Sequence, residues 1–205
     1  MSDLHTATEN VLIDEQVRGF PPGNPPLPLD AIGKQGWKPY DGRMALPLIS
    51  LDRQAFTGNV ELMMAYVKSH GADIAPHAKT PMSMALAEAL LAAGAWGTTV
   101  ADIRQAAVLL KAGQRRLILA NEIGGAAAAR RLAALLAHYP DAELHIFVDS
   151  TALAEALRSA WQERVDLPPL GLLVEFGAGR AGARGVAAAE ATWRRSLPRR
   201  RRPSG

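Results

Sequence analysis

From about residue 53 onward, apolar positions fall into two alternating rhythms. From Arg53 to His70 the spacing of Phe56, Val60, Met63 and Val67 marks one helix face, and Gly71 supplies a stop. A repeating unit follows. Ile74 to Lys79 reads as a strand, and Met82 to Ala93 as a helix with Met82, Ala85, Leu86, Ala89 and Leu90 on one face, ended by Gly94. Trp96 to Ala101 is the second strand of this series. Asp102 with Gln105 three residues on has the form of a capping box, opening a helix that Gly113 closes. Arg116 to Asn121 is the third strand and Gly125 to His138 its helix. Leu144 to Asp149 is the fourth, with Ser150 capping a helix over Thr151 to Arg164, and Leu170 to Gly177 is the fifth.

Upstream the pattern is different. Thr6 to Arg18 predicts a polar helix, and Met44 to Leu51 is a short apolar run that suits a strand. Between them Pro21, Pro22, Pro25, Pro26 and Pro28 forbid a helix or an interior strand, so Gly19 to Pro28 is expected as an extended arm. The resulting division is an N-terminal helix and Pro-rich arm over 1–43, an α/β domain over 44–186, and a basic tail over 187–205.

Strands alternating with helices, at intervals of roughly 20 to 28 residues, imply right-handed crossovers and a parallel sheet. Pattern alone does not separate a closed barrel from an open, doubly wound sheet. A hydrophobic fraction of 48% with 21% charged residues is globular composition. With no cysteine there is neither a disulfide framework nor a thiolate metal site. The start of the chain lacks the basic and apolar regions of a signal peptide, and the apolar stretch Ala85 to Trp96 is interrupted by Glu88 and too short for a bilayer. A cytoplasmic protein without membrane partners is expected.

The net charge of +3 comes from the tail. Arg194, Arg195, Arg199, Arg200, Arg201 and Arg202 contribute six of the 23 basic residues, leaving 17 against 20 acids, or −3, for residues 1–193. After about Val186 no apolar period of either kind persists. Such a tail is expected to be disordered, the product of an out-of-frame or truncated reading. The competing view is a basic arm for nucleic acid, but only Trp193 interleaves an aromatic, so no specific nucleic-acid partner is expected.

Chemistry concentrates at strand ends. Lys79 closes the run Asp73-Ile74-Ala75-Pro76-His77-Ala78-Lys79-Thr80 where strand gives way to helix. An amine at the carboxyl end of a parallel strand points to where α/β barrels perform chemistry, and partial desolvation would free it to form a Schiff base. The plain alternative is a loop lysine. His77, two residues earlier, shares its strand face and either relays a proton or packs at a strand end. Asn121, Asp149 and Ser150 lie at later strand ends, the last two favoured as helix caps. Glu175 stands inside an apolar strand, where it is expected to pair with Arg180 or face a lumen. Gly177, Gly179 and Gly182 around Arg180 make either an anion loop or an ordinary βα turn.

Taken in order, Pro76-His77-Ala78-Lys79-Thr80, Val100-Ala101-Asp102, Leu119-Ala120-Asn121, Phe147-Val148-Asp149-Ser150 and Val174-Glu175-Phe176-Gly177-Ala178-Gly179-Arg180-Ala181-Gly182 resemble the alanine racemase-like, fold-type III pyridoxal-phosphate enzymes. Within them the chain is most similar to the D-serine dehydratase and D-threonine aldolase branch, often labelled amino acid deaminase, over residues 45–185. The resemblance implies a (β/α)8 barrel, here about five of eight strands, since a whole barrel needs about 250 residues. It implies that Lys79 carries pyridoxal 5'-phosphate, with His77, Asn121 and Arg180 lining the cofactor. The implied substrate is a small D-amino acid, and the full-length relative is expected to be a homodimer. The resemblance also places the phosphate loop, the ring-side tyrosines and a zinc site in later segments. On that expectation this chain is truncated, holds no zinc, and is inactive as it stands. The choice between D-serine dehydratase and D-threonine aldolase stays open. So do a non-catalytic pyridoxal-phosphate-binding module and a nonfunctional remnant.

Overall fold

The structure, a computed structural model, describes residues 11–175. Arg180, the glycines around it, the first half of the expected Thr6–Arg18 helix and the basic tail lie outside the described residues.

The chain divides into two units, residues 1–59 and 60–205. In the first, the expected helix is absent over residues 11–18. β1 (Leu12–Ile13) instead pairs antiparallel with β2 (Leu27–Pro28), and the Leu29 N–H donates to the Val11 carbonyl at 2.9 Å. The reason is local. The Asp14 carboxylate accepts from the Gln16 N–H at 2.9 Å, and its carbonyl accepts from Val17 N–H at 3.0 Å, so a turn captures groups that a helix would need. Pro28 is tolerated because β2 is a short edge strand. A 3-10 helix over Leu29–Gln35 follows. Phe20, 4% exposed, is buried with its ring edge-on to Trp37 at 5.3 Å.

Met44 to Leu51 forms no strand. Pro47 removes a ladder donor from the middle of the run, and Leu46, Ile49 and Leu51 are all exposed. The helix α1 (Arg53–Ser69), within which the two units divide, begins where the Asp52 carboxylate accepts from Ala55 N–H. Its half-buried stripe is Phe56, Val60, Met64 and Val67; Met63, expected on that face, is 49% exposed.

The second unit carries the repeating pattern. α2 (Met84–Ala92), β3 (Thr98–Val100), α3 (Ile103–Lys111), β4 (Arg116–Leu119), α4 (Gly125–Leu136), β5 (Glu143–Val148), α5 (Thr151–Gln162) and β6 (Leu170–Val174) follow in order. On α2 the buried residue is Ala87, while Ala85 and Ala89, expected on its inner face, are exposed. The strands form a parallel sheet in sequence order β3-β4-β5-β6. The first expected strand is reduced to an extended edge segment with a single parallel bridge, His77 to Thr99. Pro76 has no N–H to extend the ladder.

Registers align side chains in rows across the sheet. Val100, Leu119, Ile146 and Leu172 form one row; Thr99, Ile118, His145 and Gly171 form the next, on the other face. The first face packs against Leu109 and Leu110 of α3, Leu132 and Leu136 of α4, and Leu153 and Leu157 of α5 in one core. This is an open arc of a (β/α) barrel: α/β, parallel, and not closed.

Candidate active site

Parallel strands deliver their carboxyl ends to one side of the sheet, and that is where the polar residues singled out above collect. Ser150 caps α5 by accepting from Leu153 N–H at 3.3 Å. Asp102 caps α3, accepting from Gln105 N–H at 2.8 Å, while the Gln105 side chain accepts from Ala101 N–H at 2.8 Å. Asn121 donates through its amide to the Ala101 carbonyl at 3.2 Å and accepts from Glu122 N–H at 3.1 Å, tying together the loops after β3 and β4. The Glu175 N–H continues the β5–β6 ladder to Val148 at 3.0 Å.

Lys79 lies just beyond the edge segment, in a turn that the Met82 N–H closes onto the Ala78 carbonyl at 2.9 Å. Met82 there has φ +41°, a left-handed conformation that costs a non-glycine residue about 1–3 kcal/mol. Ala78 is buried in the core, whereas His77 and Lys79 on either side of it are exposed. Through its pairing with Thr99, His77 belongs to the row Thr99-Ile118-His145-Gly171, on the face opposite the helices. Partial desolvation lowers the His77 pKa below its usual 6.5. The nearby Lys79 ammonium lowers it further, and the Thr99 backbone opposes both. The imidazole is thus biased toward its neutral, proton-accepting form beside a primary amine.

Two spaces lie on either side of the sheet near this edge, and of the pair only His77 lines one of them, the smaller. On one side, a crevice of about 20 Å³ between the edge segment and α2 is lined by Pro76, His77, Ala78, Leu86 and Leu90; that volume holds about one water. On the opposite face a hollow of about 230 Å³ opens between Asp73, Ile74, Ala75, Trp96, Ile118, His145 and Leu173. His145 meets Trp96 edge-on at 5.4 Å and lies over Gly171, where any Cβ would collide with its ring.

The structure therefore brings His77 and Lys79 together and holds Asn121 to the neighbouring loop. Sequence reasoning missed Thr99, His145 and the conformation of Met82. The available signal for His145 was a histidine opposite a strand glycine. An amine, an imidazole and exposed strand ends are a donor set that suits a carbonyl cofactor. Among the described residues no three His, Asp or Glu side chains cluster as metal ligands would, and no helix is long and apolar enough to cross a membrane.

Comparison with known proteins gives three findings. The family model for the alanine racemase N-terminal domain matches residues 51–199. D-threo-3-hydroxyaspartate dehydratase of Delftia sp. (strain HT23) is 27% identical over 136 residues, 66% of this chain and 35% of that protein. The crystal structure of D-threonine aldolase from Filomicrobium marinum superposes with a TM-score of 0.63 at 28% identity, covering 70% of this chain and 37% of the other. The chain thus spans about a third of the length of the relatives it matches.

Proposed function

Because the chain belongs to the alanine racemase N-terminal domain family, we propose that it is the amine-bearing part of a pyridoxal-phosphate-dependent lyase acting on a D-amino acid with a β-hydroxyl. The observation that carries this reading is the placement of Lys79: an exposed amine at the carboxyl end of a parallel sheet, beside a histidine whose pKa is lowered. The two relatives support the substrate class, since 3-hydroxyaspartate and threonine both carry the hydroxyl on the β-carbon.

Lys79 would hold pyridoxal phosphate covalently, with Asn121 and Arg180 as the further contacts that the sequence suggested. When bound, the cofactor supplies an electron sink for the α-carbon of an amino acid. His77, biased towards its neutral form near Lys79, is placed to accept a proton at its ring nitrogen. The preferred overall reaction is D-serine to pyruvate and ammonia. D-threonine cleavage to glycine and acetaldehyde is the alternative, favoured by the structural likeness to the aldolase. A homodimeric, cytoplasmic whole enzyme belongs to the same proposal, with no nucleic-acid partner and with zinc outside this chain.

Attachment and turnover separate in the test. The 205-residue chain is mixed with pyridoxal phosphate and reduced with borohydride, and the trapped mass is mapped by peptide. The label is expected on Lys79 and is expected to fall to background in Lys79→Ala. D-serine is expected to release pyruvate no faster than free cofactor does, because the chain spans about a third of its relatives' length and groups that act as a unit fail together when separated. Labelling spread evenly over the lysines would defeat the assignment.

A further inference from the structure

We propose that Thr99 is the positioning residue for Lys79, fixing through three hydrogen bonds the segment that carries the amine; the inference rests on Lys79 being the cofactor lysine. Four hydrogen bonds join residues 74–78 to the β3 region among the described residues, and three of them belong to Thr99. Its N–H donates to the Pro76 carbonyl at 2.8 Å, its carbonyl accepts from Ala78 N–H at 2.8 Å, and its hydroxyl donates to the Ala75 carbonyl at 2.6 Å. The fourth, from Trp96 N–H to the Ile74 carbonyl at 2.9 Å, is further from the lysine.

Apart from the burial of Ala78 in the core, the segment has few other means of holding its place. Pro76 cannot donate to a ladder, the regular pairing is a single bridge, and the turn beyond contains the left-handed Met82. Thr99 itself is fixed: it is 5% exposed and sits in the middle of β3. The two bonds through its backbone would survive any side-chain change. The hydroxyl bond would not, and it is the one that fixes Ala75 and so the approach of Pro76 and His77. Ala75 is half-buried, and losing this hydrogen bond costs about 0.5–1.5 kcal/mol, releasing the restraint on the segment's position. Displacement of a reacting amine by about 1 Å is worth up to about a hundredfold in rate.

Thr99→Val keeps the branched shape and deletes the hydroxyl; Thr99→Ser keeps the hydroxyl. Thr98→Val, at the equally buried neighbour on the helix-covered face, controls for loss of strand stability. Two readouts are taken on the full chain. The first is borohydride-trapped pyridoxal phosphate on Lys79. The second needs no cofactor: the resonance of ¹³C-dimethylated Lys79 and the titration of the His77 ring. Thr99→Val is expected to cut the trapped adduct about tenfold and to shift both resonances, with Thr99→Ser and Thr98→Val near wild type.

Thr99→Val behaving like Thr98→Val in both readouts overturns the proposal, as does a Thr99→Ser variant that is no better than Thr99→Val. Should Thr99→Val not fold, Thr99→Ala is measured instead, and loss of fold in both makes Thr99 structural and also overturns it. If Lys79→Ala traps as much adduct as wild type, the cofactor reading fails, and the resonances still decide the role of Thr99.

Discussion

The two faces of the sheet are built from alternate residues of the same strands and do different work. On the helix side, Val100, Leu117, Leu119, Leu144, Ile146 and Val148 are at most 1% exposed. On the other face Thr99 is buried, but Ile118, His145, Phe147 and Leu173 are only half-buried, and His77 is exposed at the edge. One face therefore carries the burial that holds the unit together, and the other presents groups whose side chains remain available. Such an asymmetry is what an arc of barrel gives, since a barrel's lumen face is covered when its strands close on one another. Among the described residues β6 pairs on one side only, and an open edge of that kind favours self-association.

A pair of isoleucines tests the contrast directly, because Ile118 and Ile146 sit on adjacent strands one register step apart, facing opposite ways. Ile146→Ala deletes a side chain of zero exposure from a closed core and is expected to cost about 2–5 kcal/mol. Ile118→Ala removes a half-buried one next to an open hollow and should cost about 1 kcal/mol, near the centre of ordinary substitutions. Denaturant unfolding of both variants gives the difference. Equal losses would mean that the second face is as tightly packed as the first.

How much of this was legible beforehand depends on whether a local signal agreed with the tertiary outcome. From Asp102 to Val174, each helix and strand lies within a few residues of its expected place, because caps (Asp102, Ser150) and stops such as Gly113 bracket each apolar period. The failures have equally local causes. Asp14 diverts the first helix into a turn, Pro47 voids an apolar run that looked like a strand, and Pro76 reduces a strand to one bridge. On α1 only Met63 gave way, to Met64, and on α2 Ala85 and Ala89 gave way to Ala87, because methionine and alanine mark a helical period weakly. His77 and Lys79 could be found by type and spacing. Thr99 could not, since a threonine in a strand reads like any β-branched residue until the distance from its hydroxyl to Ala75 is known.

At the carboxyl strand ends the helix caps add a smaller share of stability than the core does. Asp102→Ala removes the acceptor for Gln105 N–H at the start of α3 and is expected to cost about 1 kcal/mol. It should leave the Lys79 adduct at wild-type yield, as Asp102 caps a helix and touches neither His77 nor Lys79 through any bond described. Thermal unfolding together with the trapping yield checks both halves. A stable variant that no longer traps cofactor would move Asp102 from the scaffold into the site.

The smallest expected effect on stability lies on the open face, at His77. Desolvation chiefly, and then Lys79, lowers its folded pKa below 6.5. The unfolded chain therefore binds the proton more readily than the folded one. Stability from this group is fully present above about 6.5 and declines as pH falls through the unfolded pKa towards the folded one. Histidine ring resonances followed between pH 8 and pH 5 should give a His77 midpoint below that of an unfolded peptide. Lys79→Ala should raise the midpoint only part of the way, because partial desolvation is the larger cause and the alanine does not remove it. A return to the full 6.5 would show that charge alone sets the shift. No movement at all would show that the amine lies too far from the imidazole to bias it, which would separate the two residues on which the candidate site is built.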